Sequence, residues 1–219
     1  NPTTMTRADV RRLHDLGADI FTVALDACTR EVFDRTRGKG VDSPHRWATY
    51  WQVFDHARDI FGSARIGMHL IVGLGETDRD VLEICRRLHE AGGHSHLFCF
   101  YPERGSLMDH LPAPPRSRWR RLQLARYLLE YAGHPFAALG FSADGALVDF
   151  GLEQAALDRI VGAGVAFRTS GCPGKDRDDV SACDRPYGDS PPSDIASYPF
   201  QPNGNDLRTI RRQLGSPPP

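Results

Sequence analysis

The sequence predicts an α/β protein built on a parallel sheet, and three observations predict it. Short apolar runs alternate with amphipathic helical patterns from Thr6 to about Arg168, the βαβα order that yields parallel strands with right-handed crossovers. One of these runs, Arg65 to Val72, leads into two glycines and a capped helix. After Ser170 the text turns to Gly, Pro, Asp and Ser with little periodicity. The compact fold is therefore expected over residues 1–169, an irregular extension over 170–214 and a disordered tail at 215–219.

The elements follow in order. Thr6 to Gly17 has a helical pattern, with Val10, Leu13 and Leu16 at three-residue steps and Gly17 as its stop. Ile20 to Leu25 is a short strand ending at Asp26. Ser43-Pro44 opens a helix that runs to about Phe61, a cap followed by proline in the first turn. The strand at Arg65 to Val72 precedes a helix from Thr77 to Ala91, whose Val81, Leu82, Ile84, Cys85 and Leu88 form one apolar face. Leu97 to Tyr101 is a strand, and Ser117 to Tyr131 a helix whose arginines read as a solvated outer face. Phe136 to Phe150 holds extended segments around a turn at Asp144-Gly145. A helix at Glu153 to Val161 and a last strand at Val165 to Arg168 complete about five βα units, fewer than the eight of a closed barrel. A short helix, Asp206 to Leu214, closes the extension.

The chain has 219 residues and 40% hydrophobic content, enough for one sizeable core or a core with an extension. Its 27 basic and 28 acidic residues nearly cancel, which leaves no electrostatic footprint for nucleic acid or an anionic membrane. No apolar run approaches the roughly 20 residues of a membrane span, and no signal peptide is visible. The expectation is a soluble cytoplasmic protein without nucleic-acid or membrane partners. Five widely spaced cysteines, an odd count, argue for reduced thiols over a disulfide framework.

The most specific stretch is Leu70-Ile71-Val72-Gly73-Leu74-Gly75-Glu76-Thr77-Asp78. Without a Cβ, Gly73 and Gly75 allow a sharp turn and close approach to a flat ligand. Thr77 caps the next helix with Asp80 in capping-box spacing. Such a βα turn at the carboxyl end of a parallel strand suits a small-molecule cofactor; an ordinary tight loop is the alternative. A dinucleotide-binding turn would need a third glycine in register, and none is present.

Other positions carry possible chemistry. Asp26, at the end of its strand, faces the rim and is able to accept hydrogen bonds from ribose hydroxyls; the alternative is a turn aspartate capping a helix. Tyr101 opens a rim loop running to Ser106. Cys172 and Cys183 lie just past the last predicted strand. Thiolates are the usual iron–sulfur ligands, but two do not complete a four-ligand site, and unrelated surface thiols are the alternative. Cys28 follows the rim, within possible reach of such a cluster, whereas Cys85 and Cys99 read as small core residues. Arg168 and Arg185 are candidates to pair a carboxylate or phosphate, with ordinary surface arginines as the default alternative. His94 and His96 form an H-x-H pair on one strand face with no third ligand apparent.

The text from Ile71 to Thr77 resembles the fifth-strand motif of radical S-adenosylmethionine (SAM) enzymes. The segments TSGCPG, ACDRPYGDSPPSD and YPFQPNGNDLRTIRRQL resemble the C-terminal signature of two-protein lipoyl synthases, which are biotin-synthase-like members of that superfamily. The likeness runs from about Thr4 to Leu214. It implies a partial TIM-type (βα) barrel comprising the C-terminal strands 4–8. It also implies SAM as cofactor at Asp26, Ile71, Gly73, Gly75, Glu76 and Tyr101, with Asp26 at the ribose. A SAM-cleaving [4Fe–4S] cluster is implied, as is an auxiliary Fe–S cluster with Cys172 and Cys183 as candidate ligands. Cys28, Arg168 and Arg185 would then lie near substrate or cluster. The implied reaction inserts sulfur into an octanoyl chain on a lipoyl carrier protein by way of a 5′-deoxyadenosyl radical, with a second lipoyl synthase-like protein as possible partner.

Two departures qualify the likeness. The CxxxCxxC loop that holds the SAM cluster is absent, so the chain reads as the C-terminal part of an enzyme, inactive alone, with the missing half in cis or on another chain. Gly67 stands where biotin synthases place a cluster cysteine, which favours the lipoyl reading. Another radical SAM reaction, such as methylthio transfer, or a non-catalytic scaffold are the alternatives.

Overall fold

The computed structural model describes residues 2–169 and 195–215. Its centre is a parallel sheet in the order β1 (Phe21–Asp26), β2 (Ile66–Val72), β3 (His94–Cys99). The register pairs Ala24 with His69 and His69 with His96, and Ile71 with Phe98. Side chains of paired residues share a face, so alternation divides the sheet. On one face Met68, Leu70 and Val72 are fully buried. On the other, His69 and Ile71 of β2 stay half-buried. The buried face packs against α3 (Trp47–Phe61) and α4 (Asp78–Glu90).

α1 (Arg7–Asp15) lies on α3 and is closed by a Thr6–Asp9 capping box. α3 buries Tyr50, Val53, Phe54 and Ala57 on one stripe. It starts at Trp47 and not at Ser43, because Ser43 Oγ accepts from His45 N at 3.3 Å in a local turn. Helix α2 (Arg30–Thr36), capped by Thr29 through Val32 N at 3.1 Å, occupies a stretch the sequence reading passed over. α4 has the expected capping box, with Thr77 Oγ1 accepting from Asp80 N, and buries its five predicted apolar residues.

Three expectations are corrected. Phe136 to Phe150 holds extended segments around the Asp144-Gly145 turn as expected but is no βα unit of the parallel sheet: β4 (Gly140–Phe141) and β5 (Leu147–Asp149) pair with each other, antiparallel. The turn at Asp144-Gly145 is too short for a crossover, so only a hairpin can form. Val165–Phe167 is a 3-10 turn, followed by a single bridge between Arg168 and Tyr198. The parallel sheet therefore has three strands among the described residues and does not close; the fold is mixed α/β.

The third correction concerns α5 (Arg116–Tyr131). Its arginines are not a solvated face: Arg120, Arg121 and Arg126 are buried, with Gln123 and Glu130. One side of α5 joins the sheet core through Trp119, Leu122, Ala125 and Leu129. Another side joins a second apolar cluster through Leu124 and Leu128, with Val161 of α6 (Gln154–Ala163), Phe167, Tyr198, and Ile210 of α7 (Gly204–Gly215). A helix packed on both sides buries its polar residues too, and these must find partners. Trp119 Nε1 donates to Ala196 O at 2.7 Å, and Arg120 donates to Ala196 O and to Ile195 O at 3.0 Å. Residues 195–198 are thereby anchored to α5. No helix among the described residues is long and apolar enough to cross a membrane.

Candidate active-site cleft

The three parallel strands end on one side in a cleft of about 1370 Å³. Carboxyl ends of parallel strands diverge into loops there, which is where α/β folds bind ligands. The volume exceeds that of a typical single small-molecule pocket.

Asp26 terminates β1 with φ +66° at a register break. Its carboxylate pairs with Arg37 at 2.8 Å, and Arg37 also donates to Ala24 O. Burial pushes the Asp26 carboxyl above the usual range, opposed by Arg37 and His69. His69 lines the same cleft. Burial pushes its imidazole below the ordinary value, opposed by Asp26. Its ring lies edge-on to Phe98 at 5.0 Å and to His96 at 5.5 Å.

The glycine turn follows β2, with Gly73 at φ +112° and Gly75 at φ +104°. Glu76 folds back on this turn. Its Oε1 accepts from Gly73 N at 2.7 Å and its Oε2 from Leu74 N at 2.8 Å. Arg118 of α5 neutralises it, donating to Glu76 Oε1 at 3.1 Å and to Glu76 O at 2.9 Å. Arg118 Nε also donates to Asp78 Oδ1 at 2.7 Å, and Asp78 Oδ2 accepts from Leu147 N at 2.9 Å. One buried carboxylate thus shapes the turn, and one guanidinium ties it to α4, α5 and the hairpin.

The glycines admit protein groups as well as space. A Cβ on Gly73 would meet Pro114 Cγ at 2.5 Å, and one on Gly75 would meet Arg35 Nη2 at 2.6 Å. Phe100 N donates to Val72 O at 2.8 Å, carrying the chain from β3 into the 101–115 loop. That loop gives the cleft an apolar wall, with Tyr101, Leu107, Met108 and Leu111. Tyr101 is 53% exposed and Leu107 is 90% exposed.

Asp26, Ile71, Gly73, Gly75 and Tyr101, all singled out from the sequence, line this one cleft. Glu76 does not: its side chain is fully buried in the turn. Cys28 is also elsewhere, a buried core thiol pushed well up by burial and then by Glu76. Arg168 sits at the bridge to Tyr198, beside the second apolar cluster. Cys85 and Cys99 are buried, as expected. Cys172, Cys183 and Arg185 lie outside the described residues.

Sequence reasoning missed Arg35, Arg37 and His69. The alternation of Met68-His69-Leu70-Ile71-Val72 would have placed His69 on the face of Ile71. Thr29 before Arg30-Glu31-Val32-Phe33 was a legible helix start that would have raised α2 and its arginines. Among the described residues, no group of three or more His, Cys, Asp or Glu side chains is placed to hold a metal ion, His94 and His96 included. No family model, curated protein or solved structure matches the chain.

Proposed function

We propose that the cleft is the SAM site of a radical SAM enzyme of the lipoyl-synthase type, built on part of a TIM-type barrel. The observation that carries this reading is convergence. Five of the six positions that the resemblance assigns to SAM line one cleft at the carboxyl ends of three parallel strands.

The donor set suits an adenosyl ligand. Asp26 offers a carboxylate to ribose hydroxyls, and Ile71, Phe98 and the glycine turn offer an apolar surface to a flat base. Glu76, the sixth position, acts by holding the turn. When bound, SAM supplies the adenosyl fragment for the chemistry; the chain's residues bind it, orient it and exclude water. The apolar wall of Leu107, Met108 and Leu111 suits an aliphatic chain such as octanoyl.

The described residues do not fit an iron–sulfur cluster. Their three thiols are buried, burial pushes Cys28 well up and Cys85 up to about 12, and no ligand group of three is formed. A cluster would depend on Cys172 and Cys183.

Calorimetric titration of the chain with SAM and 5′-methylthioadenosine tests the site. Binding that weakens about tenfold or more in Asp26→Asn, with near-UV circular dichroism unchanged, is the expected result; each tenfold is about 1.4 kcal/mol. Absence of binding by either compound would overturn the adenosyl reading. Iron and acid-labile sulfide after anaerobic reconstitution, lost in the Cys172→Ser/Cys183→Ser double variant, is the expected result for sulfur insertion.

A further inference from the structure

Three guanidiniums line the cleft: Arg35, Arg37 and Arg118. Two are neutralised, Arg37 by Asp26 at 2.8 Å and Arg118 by Glu76 and Asp78 at 3.1 and 2.7 Å. Arg35 differs. Its Nη2 donates to Leu74 O at 2.9 Å, and no carboxylate pairs with it among the described residues.

The position of this cation is built. It comes from the last turn of α2, which Thr29 caps. The carbonyl of Leu74 fixes the guanidinium across the glycine turn. Gly75 makes the room, because a Cβ there would stand 2.6 Å from Arg35 Nη2. A carbonyl satisfies one of five N–H donors but not the charge. A planar fork with free donors, exposed on the wall of the cleft, matches a carboxylate or phosphate in two-point contact.

We infer that Arg35 is the anion-binding residue of the cleft, taking a carboxylate or phosphate carried by the same ligand whose ribose meets Asp26. This rests on the adenosyl reading for the identity of the ligand, though not for the anion contact. Gly75 is required by the bend of the chain, at φ +104°, and a side chain there would also displace the guanidinium of α2.

Two arms test it separately. The first titrates the chain with inorganic phosphate and follows the arginine Nε–Hε NMR signals, with Arg35 assigned by the signal lost in Arg35→Lys. A saturable shift of the Arg35 signal is expected, and no shift overturns the inference whatever the nucleosides do. The second arm compares S-adenosyl-L-homocysteine, which carries a carboxylate, adenosine 5′-monophosphate, which carries a phosphate, and 5′-methylthioadenosine, which carries neither. At least one anionic probe is expected to bind about tenfold tighter than 5′-methylthioadenosine, and which one does identifies the anion. Arg35→Ala should erase that preference, while Arg35→Lys retains part of it. A preference that survives Arg35→Ala overturns the inference. A phosphate shift at Arg35 with no adenosyl probe bound supports the anion site and overturns the adenosyl reading instead.

Discussion

Two irregular stretches of backbone, the glycine turn at 73–77 and the segment at 195–198, are both tied to polar side chains of α5, and they are held differently. At the turn, the donors are backbone N–H groups and the holder is a carboxylate, Glu76, itself neutralised by Arg118. At 195–198, the acceptors are backbone carbonyls and the holders are donors, Trp119, Arg120 and Gln123. The turn needs two residues in a chain of charge and faces a cleft; the segment at 195–198 is gripped directly and lies between the two apolar clusters, with Ala196 in the sheet core and Tyr198 in the second. Chain that lines a cleft lacks packing on one side, so charged groups replace the missing apolar contacts. Chain inside a cluster is fixed by packing and needs only its carbonyls satisfied.

The largest expected effect breaks the turn. Arg118→Ala would leave Glu76 and Asp78, whose side chains are 0% and 4% exposed, as buried carboxylates without their cation. Breaking such a pair typically costs about 3–5 kcal/mol. Urea unfolding should show this loss, and an unchanged midpoint would mean that the glycine turn holds itself. Trp119→Phe probes the other stretch. It removes the Nε1 donor to Ala196 O and shrinks a fully buried indole to a phenyl ring, so the cavity adds to a polar loss of about 1 kcal/mol. Amide exchange should quicken around Ala196 and Tyr198 and stay unchanged at Gly73 and Leu74.

Thr77→Ala removes the cap of α4 next to the turn, where Thr77 Oγ1 accepts from Asp80 N. About 1 kcal/mol of stability should be lost, read as a lower thermal midpoint with the cleft's ligand affinity retained. The smallest effect is electrostatic. Burial holds the His69 ring below its ordinary 6.5, so the unfolded chain binds the proton more readily than the folded one. The stability this contributes is present above pH 6.5 and is lost as pH falls from there through the depressed folded value. Asp26, held above 3.8 by burial, has the opposite sign: its contribution is present below 3.8 and is lost as pH rises through the raised folded value. A pH series of unfolding midpoints for the wild type against His69→Gln should differ in slope below pH 6.5 and run parallel above it.

Legibility followed the kind of force involved. The capping box of α4 and its apolar face were readable because each is a matter of neighbours within one turn or two. The strand–glycine–helix unit at 66–78 was readable for the same reason, and it holds three of the cleft residues singled out from the sequence, Ile71, Gly73 and Gly75. The arginines of α5 were misread, since periodicity reports which residues are apolar and not which polar ones a second packed layer will cover. Glu76 was singled out as a cofactor residue but lies outside the cleft, and its part as the clamp of its own turn involves Arg118, far along the chain.

The sequence by itself determined the local grammar: where helices start, which strand face is apolar, and where the chain must turn. These depend on covalent geometry and on spacings of a few residues. The tertiary structure alone decided which strands share a sheet, that 140–149 forms its own hairpin, and that Arg35 reaches across Gly75 into the cleft. Those outcomes join residues distant in sequence, and burial, which decides whether a charge must be paired, is a property of the packed molecule and of no segment alone.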